Sequence, residues 1–279
     1  MTALCTTTRA IFDSYLLRAL PAKQSCGVRD HLDACTSCWN RWNIHRWDRA
    51  AGSPLLAELR TYLEESGLPY TPMRDSSREL AESWYHTTPS PTSRADFFRS
   101  SEAYLYNLTI WQASGNRPPY VAQAEQLLAR HDITTITDLG CGIASDTLDL
   151  AGLGYSLTPV DYDSPSTRFA RWRLRRAGHD GTIHQPGLLP QSLAPEALWA
   201  IDTLDHIPDL DTQLGPLLSQ CRLVITETQQ PARSHGNHRY YIRRTSGELN
   251  QVFAAHNLHP QPPDPRTPNL CVWSTPRSA

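Results

Sequence analysis

A chain of 279 residues with a net charge of -2 is long for one ordinary domain and short for two large ones, which points to a catalytic-sized core plus an appendage. The near-neutral balance excludes the broad positive field that grips nucleic acid, and no apolar run reaches the ~18 residues of a membrane span. The start of the chain lacks a basic region followed by a long apolar one, and its seven cysteines do not form the even ladder of a secreted disulfide scaffold, so a cytoplasmic protein with no membrane partner is expected.

Ile11, Tyr15, Leu16 and Ala19 recur at helical spacing and predict a helix over 6–20, ended by Pro21. A second helix is expected from about Val28 to Trp47, and a third from the Ser53-Pro54 start signal to the Gly67 stop. The stretch HTTPSPTS over 86–93 has no periodicity and reads as an extended linker. Three segments follow: a helical module over 1–50, a helical connector with its linker over 51–93, and a larger domain over 94–279.

In the third segment ADFFRSSEAYLYNLTIWQ and PYVAQAEQLLARH read as helices, and the β-branched run ITTITDL then meets Gly140-Cys141-Gly142. Thereafter TLDLAGLG, STRFARWRLRRAG and TQLGPLLSQ read as helices alternating with strands YSLTPVD, LWAID and RLVITET. That alternation predicts an α/β fold around a parallel sheet.

The strand ending in Asp138-Leu139-Gly140-Cys141-Gly142 puts small residues at a sharp turn into a helix, where a ligand can approach the backbone and the helix N-terminus. Asp161 ends the next strand, 21 positions after Gly140, and a carboxylate there can accept both hydroxyls of a ribose. The same residues would also suit a plain βα turn and a helix cap. A dinucleotide site would want a third glycine where Ser145 stands.

In these motifs the chain resembles the class I S-adenosylmethionine-dependent methyltransferases. DLGCGIAS is similar to their first motif, with Ala144 where many members carry a third glycine. AIDTLDHIPDL over 200–210 resembles the fourth-strand motif of the ubiquinone-biosynthesis-like subgroup, and HRYYIRRTSGELNQVFAAHNL is similar to the segment before the last helix. LHPQPPDPR and NLCVWSTP are similar to the closing hairpin.

The resemblance spans about 95–276. It implies a doubly wound, mostly parallel seven-stranded sheet with a closing antiparallel hairpin, and S-adenosylmethionine as cofactor. Asp138, Gly140, Cys141, Gly142, Asp161, Tyr162 and Thr203 would hold that donor, with Tyr104 on a lid helix. HQPGLLPQS stands where many relatives place an acid near the adenine. The acceptor would be a small molecule, a homodimer is compatible, and His206, His235 and His238 are the candidate bases. Two rival readings are a nicotinamide-dependent oxidoreductase and a zinc-dependent regulatory protein whose methyltransferase-like domain only binds a ligand.

His31, Cys35 and Cys38 stand at i, i+4 and i+7, so a continuous helix would present one imidazole and two thiolates along a single face, a donor set suited to zinc. Together with Cys5, the HLDACTSC segment resembles the zinc-binding module of bacterial anti-sigma factors, which implies a closed Cys5, His31, Cys35, Cys38 site. Cys26 and His45 compete for the fourth place.

Overall fold

The computed structural model describes residues 3–87, 90–189, 193–227, 242, 244–267 and 270–276. The described chain divides into two compact units. One comprises 3–87 and 101–118, the other 90–100 and the residues from 119 onward. The division differs from the three sequence segments: a boundary at 93 would cut a helix of the second unit.

In the first unit the helix expected over 6–20 is two short ones, α1 (Ala3–Ala10) and α2 (Phe12–Leu16). The helix expected over 28–47 is also broken, into α3 (Ala22–Ala34) and α4 (Thr36–Ala50). Cys35 leaves helical geometry at φ -124° and ψ 94° and becomes the N-cap of α4. The following Thr36 and Ser37 compete for backbone hydrogen bonds and favour such a restart. α5 (Pro54–Glu65) starts on Ser53, whose hydroxyl accepts the Leu55 amide at 3.3 Å.

α6 (Ser76–Tyr85) follows, capped by the Asp75 carboxylate. The segment leading to it is held from inside the unit. Trp47 Nε1 donates to the Arg74 carbonyl at 3.1 Å, Asn43 to the Met73 carbonyl at 3.0 Å, and Trp39 Nε1 to Asp75 at 2.6 Å. These polar tips give buried tryptophans a partner, as burial of an indole N–H requires.

The extended linker is shorter than expected, because Pro91–Ser93 form the first turn of α7 (Pro91–Ser100), where the missing proline N–H costs nothing. The single helix expected from Ala95 to Gln112 is interrupted at Ser101, which caps α8 (Glu102–Ala113) by accepting the Tyr104 amide at 3.2 Å. α7 belongs to the second unit and α8 to the first.

The second unit continues with α9 (Tyr120–Arg130), β1 (Thr135–Leu139), α10 (Ser145–Gly152), β2 (Ser156–Val160), α11 (Pro165–Arg176), β3 (Ala197–Ala200), α12 (Leu210–Leu218), β4 (Leu223–Thr226), α13 (Ser246–Ala254), β5 (His259–Pro260) and β6 (Cys271–Ser274). The sheet order is β2-β1-β3-β4-β6-β5, with the first four strands parallel and β6 antiparallel to both β4 and β5. The closing hairpin is therefore present.

Every residue of β3 and β4 is buried, the pattern of a parallel sheet covered on both faces. Leu198, Val224, Leu214, Leu217, Phe253 and Trp273 belong to the main core, with the Phe253 and Trp273 rings 4.7 Å apart. Each such side chain contributes roughly 1.5–3 kcal/mol on burial.

The sheet described has six strands rather than the expected seven. Beyond β2 the chain makes one parallel bridge, Val160 to His184, with the Asp161 amide donating to the His184 carbonyl at 2.9 Å. Pro186 and Gly187 follow at once, one lacking a donor and the other at φ +79°, so no ladder extends from that bridge. No described helix is long and apolar enough to cross a membrane.

Candidate functional site

The chain enters β1, crosses to β2 on one side and then to β3 on the other, so the strand order reverses at β1 and leaves a crevice outside the carboxyl ends of β1 and β3. The turn after β1 lies there. Gly140 and Gly142 take φ +76° and +54°, and Ala144 takes +58° as the N-cap of α10. A left-handed alanine costs of order 1 kcal/mol, so the turn holds a shape that would suit glycine better. Gly140 is also sterically obligatory: a Cβ there would lie 2.1 Å from Thr203 Oγ1 and 2.7 Å from its Cγ2. Thr203 thus comes from the loop after β3 to touch the turn after β1.

Asp161 follows β2 and faces the same turn. Its Oδ2 accepts the Gly142 amide at 2.8 Å and its Oδ1 the Tyr162 amide at 2.6 Å. Each oxygen keeps a lone pair for a further donor, which is what a ribose diol needs. Burial pushes the carboxyl up to about 6 while the two amides pull it down. Burial likewise raises the Tyr162 phenol, whose ring carries the Arg99 guanidinium 4.8 Å from its centroid.

Other expected donor residues play supporting parts. Asp138 is 3% exposed and accepts the Thr147 hydroxyl at 2.5 Å, bracing the turn from beneath. Cys141 is buried, and its thiol is pushed well up by that burial and by the neighbouring Asp161 and Asp138. Tyr104 lies on α8, in the first unit. His235 and His238 lie outside the described residues.

His206 ends the 3-10 turn Leu204–His206 after β3, and its ring lies 4.8 Å from that of Phe98 on α7. Its neighbour Asp205 escaped the sequence reading. Asp205 is 9% exposed and pushed up to about 6, mainly by burial; Arg244 opposes the shift and Glu227, just past β4, adds to it. Arg244 in turn donates to the carbonyls of Ile207 and Pro208, fixing the turn that carries both residues. The acidic-His dipeptide was the only sequence signal; burial and the approach of Glu227 depend on the sheet.

In the first unit the four donor atoms of Cys5, His31, Cys35 and Cys38 all lie within 4.8 Å of one another, and Cys5 Sγ is 3.9 Å from Cys35 Sγ. Zinc–sulfur bonds of about 2.3 Å at tetrahedral angles put two sulfurs about 3.8 Å apart, so the spacing fits. His31 Nε2 is buried with no hydrogen-bond partner, an orphan that a metal would satisfy. The convergence comes from the break at Cys35 and from α1, not from one helical face. Cys26 is exposed beside Arg29, and His45 Nε2 sits 3.3 Å from Asp13; neither joins the cluster.

No protein-family profile and no curated protein matches the chain. Among solved structures it is similar to the magnesium protoporphyrin IX methyltransferase of Synechocystis with bound S-adenosylmethionine, at a TM-score of 0.50 and 13% identity, covering 67% of this chain and 97% of that one. It is also similar to the 1,6-didemethyltoxoflavin N1-methyltransferase of Burkholderia thailandensis, at a TM-score of 0.44 and 17% identity, covering 68% of this chain and 92% of that one. The first likeness identifies the fold: a mostly parallel α/β sheet with an antiparallel closing pair, shared with an S-adenosylmethionine-dependent methyltransferase.

Proposed function

We propose that the second unit transfers a methyl group from S-adenosylmethionine to a small-molecule acceptor. The observation that carries this reading is the Asp161 carboxylate, held by the Gly142 and Tyr162 amides with one lone pair per oxygen to spare, at the reversal point of the sheet. Asp161 would take the ribose hydroxyls, while Gly140 and Gly142 let the donor lie against the backbone. Bound there, the sulfonium supplies an electrophilic methyl group.

The rest of the task is alignment, because displacement at that carbon needs donor and acceptor held in line. Phe98 and His206 would offer the acceptor one wall, and Asp205 or His206 would take its proton. The LDHIP turn that carries them favours the ubiquinone-biosynthesis-like subgroup. A cytoplasmic setting agrees with the free cysteines.

The first unit, in this reading, is a zinc module like that of anti-sigma factors, its Cys5, His31, Cys35 and Cys38 filling all four positions. A closed site leaves the metal a structural role.

Calorimetry with S-adenosylhomocysteine tests the donor site: wild type should bind it, and Asp161→Ala should lose on the order of 1.5–3 kcal/mol. Equal affinities, or binding of a nicotinamide dinucleotide instead, would sink the assignment. Donor binding without transfer to any acceptor would move the protein to the regulatory reading.

A further inference from the structure

A cation stands against the cysteine cluster. Cys5 and Arg9 are four residues apart on α1 and so share one face of that helix. Cys5 Sγ meets Cys35 Sγ, and one turn later Arg9 donates through Nη2 to the Oγ of Ser37, the residue before Cys38, at 2.9 Å. Ser37 and Cys38 both lie in the first turn of α4, which contains no acid and whose N-cap side chain makes no capping bond.

Charge makes this contact consequential. Three thiolates and a neutral imidazole around a divalent ion would leave one net negative charge, at a place where Cys5 is 8% exposed and Cys38 fully buried. An uncompensated buried charge is costly. The α4 N-terminus offers partial positive charge, and Arg9 a full one.

Resting on the zinc reading of the first unit, we infer that Arg9 is the positioning residue of the metal site: it balances the thiolate charge, keeps the Cys38 sulfur on the metal and clamps α1 to the start of α4. Outer partners of metal ligands tune affinity and exchange in this way. Arg9 therefore slows both metal loss and alkylation of the thiolates.

The test uses the full zinc-loaded chain as wild type, Arg9→Gln and Arg9→Lys. Zinc release to a chromophoric chelator and iodoacetamide labelling of Cys38 are followed, with helical circular dichroism as the check on folding. Arg9→Gln should release zinc and label about tenfold faster, and Arg9→Lys, which keeps the charge, should stay within about threefold of wild type. In cobalt-loaded protein the sulfur-to-metal charge-transfer band of Arg9→Gln should move to lower energy, a change that lost packing alone would not cause.

Should Arg9→Gln fail to fold, Ser37→Ala frees Arg9 from its oxygen partner without touching a ligand, and must exchange zinc measurably faster than wild type. Unchanged rates and an unmoved band in the folded variants overturn the role of Arg9. A wild-type chain that takes up neither zinc nor cobalt overturns the zinc reading itself.

Discussion

The Asp161 carboxylate and the Gly142 amide meet at 2.8 Å across the ends of β2 and β1, so two motifs that sequence shows separately form one hydrogen-bonded unit. The pairing fixes where the carboxylate points before any ligand arrives, and such preorganisation lowers the ordering cost of binding.

Asp161 also sets a pH dependence. Its carboxyl is raised to about 6, chiefly by burial, from 3.8. Only the ionised form accepts two hydroxyls, so affinity for S-adenosylhomocysteine should fall as pH drops through 6, to roughly a quarter at pH 5.5 of its value at pH 7.5. Asp161→Asn should bind weakly with a flat profile. For folding the sign is opposite: a carboxyl raised in the native state penalises stability above about 6 and not below about 4, so the ligand-free protein gains stability from this group on acidification. Calorimetry across that range decides the point, and a level wild-type affinity would count against it.

At Gly140 the expected outcome is steric. The three atoms nearest an added Cβ all belong to the Thr203 side chain, at 2.1, 2.7 and 2.9 Å, and φ is +76°. Thr203 Oγ1 is itself tied to the Ile201 carbonyl at 2.9 Å and cannot swing aside freely. Gly140→Ala should cost about 2–4 kcal/mol in urea unfolding and abolish donor binding. Thr203→Gly in the same chain should return the clash portion and leave the backbone strain. A Gly140→Ala protein as stable as wild type would show that the turn yields.

Local rules revealed the parts of the fold that local rules build. The helical period located α9 and α11, short apolar and β-branched runs located the buried strands, and Ser53-Pro54 marked the start of α5. The long helical patterns break at Cys35 and Ser101, where chain polar groups restart a helix and the apolar spacing scarcely changes. The Cys5, His31, Cys35, Cys38 grouping was legible as a list of ligands, yet the reason expected for His31, Cys35 and Cys38, a shared helical face, is not the one observed. Asp205 was invisible because its chemistry comes from burial and from Glu227, which follows a different strand.

Asp205 offers a prediction in which stability and activity part company. A carboxyl raised to about 6 is held ionised at pH 7.5 against burial and the charge of Glu227, with Arg244 as partial relief. Asp205→Asn should then raise stability at pH 7.5 by up to about 1 kcal/mol, a gain that vanishes near pH 4, while lowering methyl transfer. Marked destabilisation, with transfer unaffected, would make Asp205 an ordinary structural acid.

Zinc removal tests the first unit. Cys5, Leu16, Val28, Leu32, Cys38 and Trp42 belong to one small buried cluster, and two of these six are proposed ligands, so a bound metal would support the core. A helical module of this size buries too little apolar surface to be secure alone, and ligation should supply much of its folding free energy. Purified protein should carry one zinc per chain. Chelation should melt the helices over 3–50 first, seen as lost ellipticity, while affinity for S-adenosylhomocysteine, bound by residues of the second unit, stays nearly intact. Cys5→Ser should lower zinc affinity at least about tenfold, whereas Cys26→Ser and His45→Ala should leave it unchanged, because neither side chain reaches the cluster. A Cys5→Ser chain that holds zinc as tightly as wild type would remove Cys5 from the ligand set, and a fully helical, metal-free protein would remove the metal.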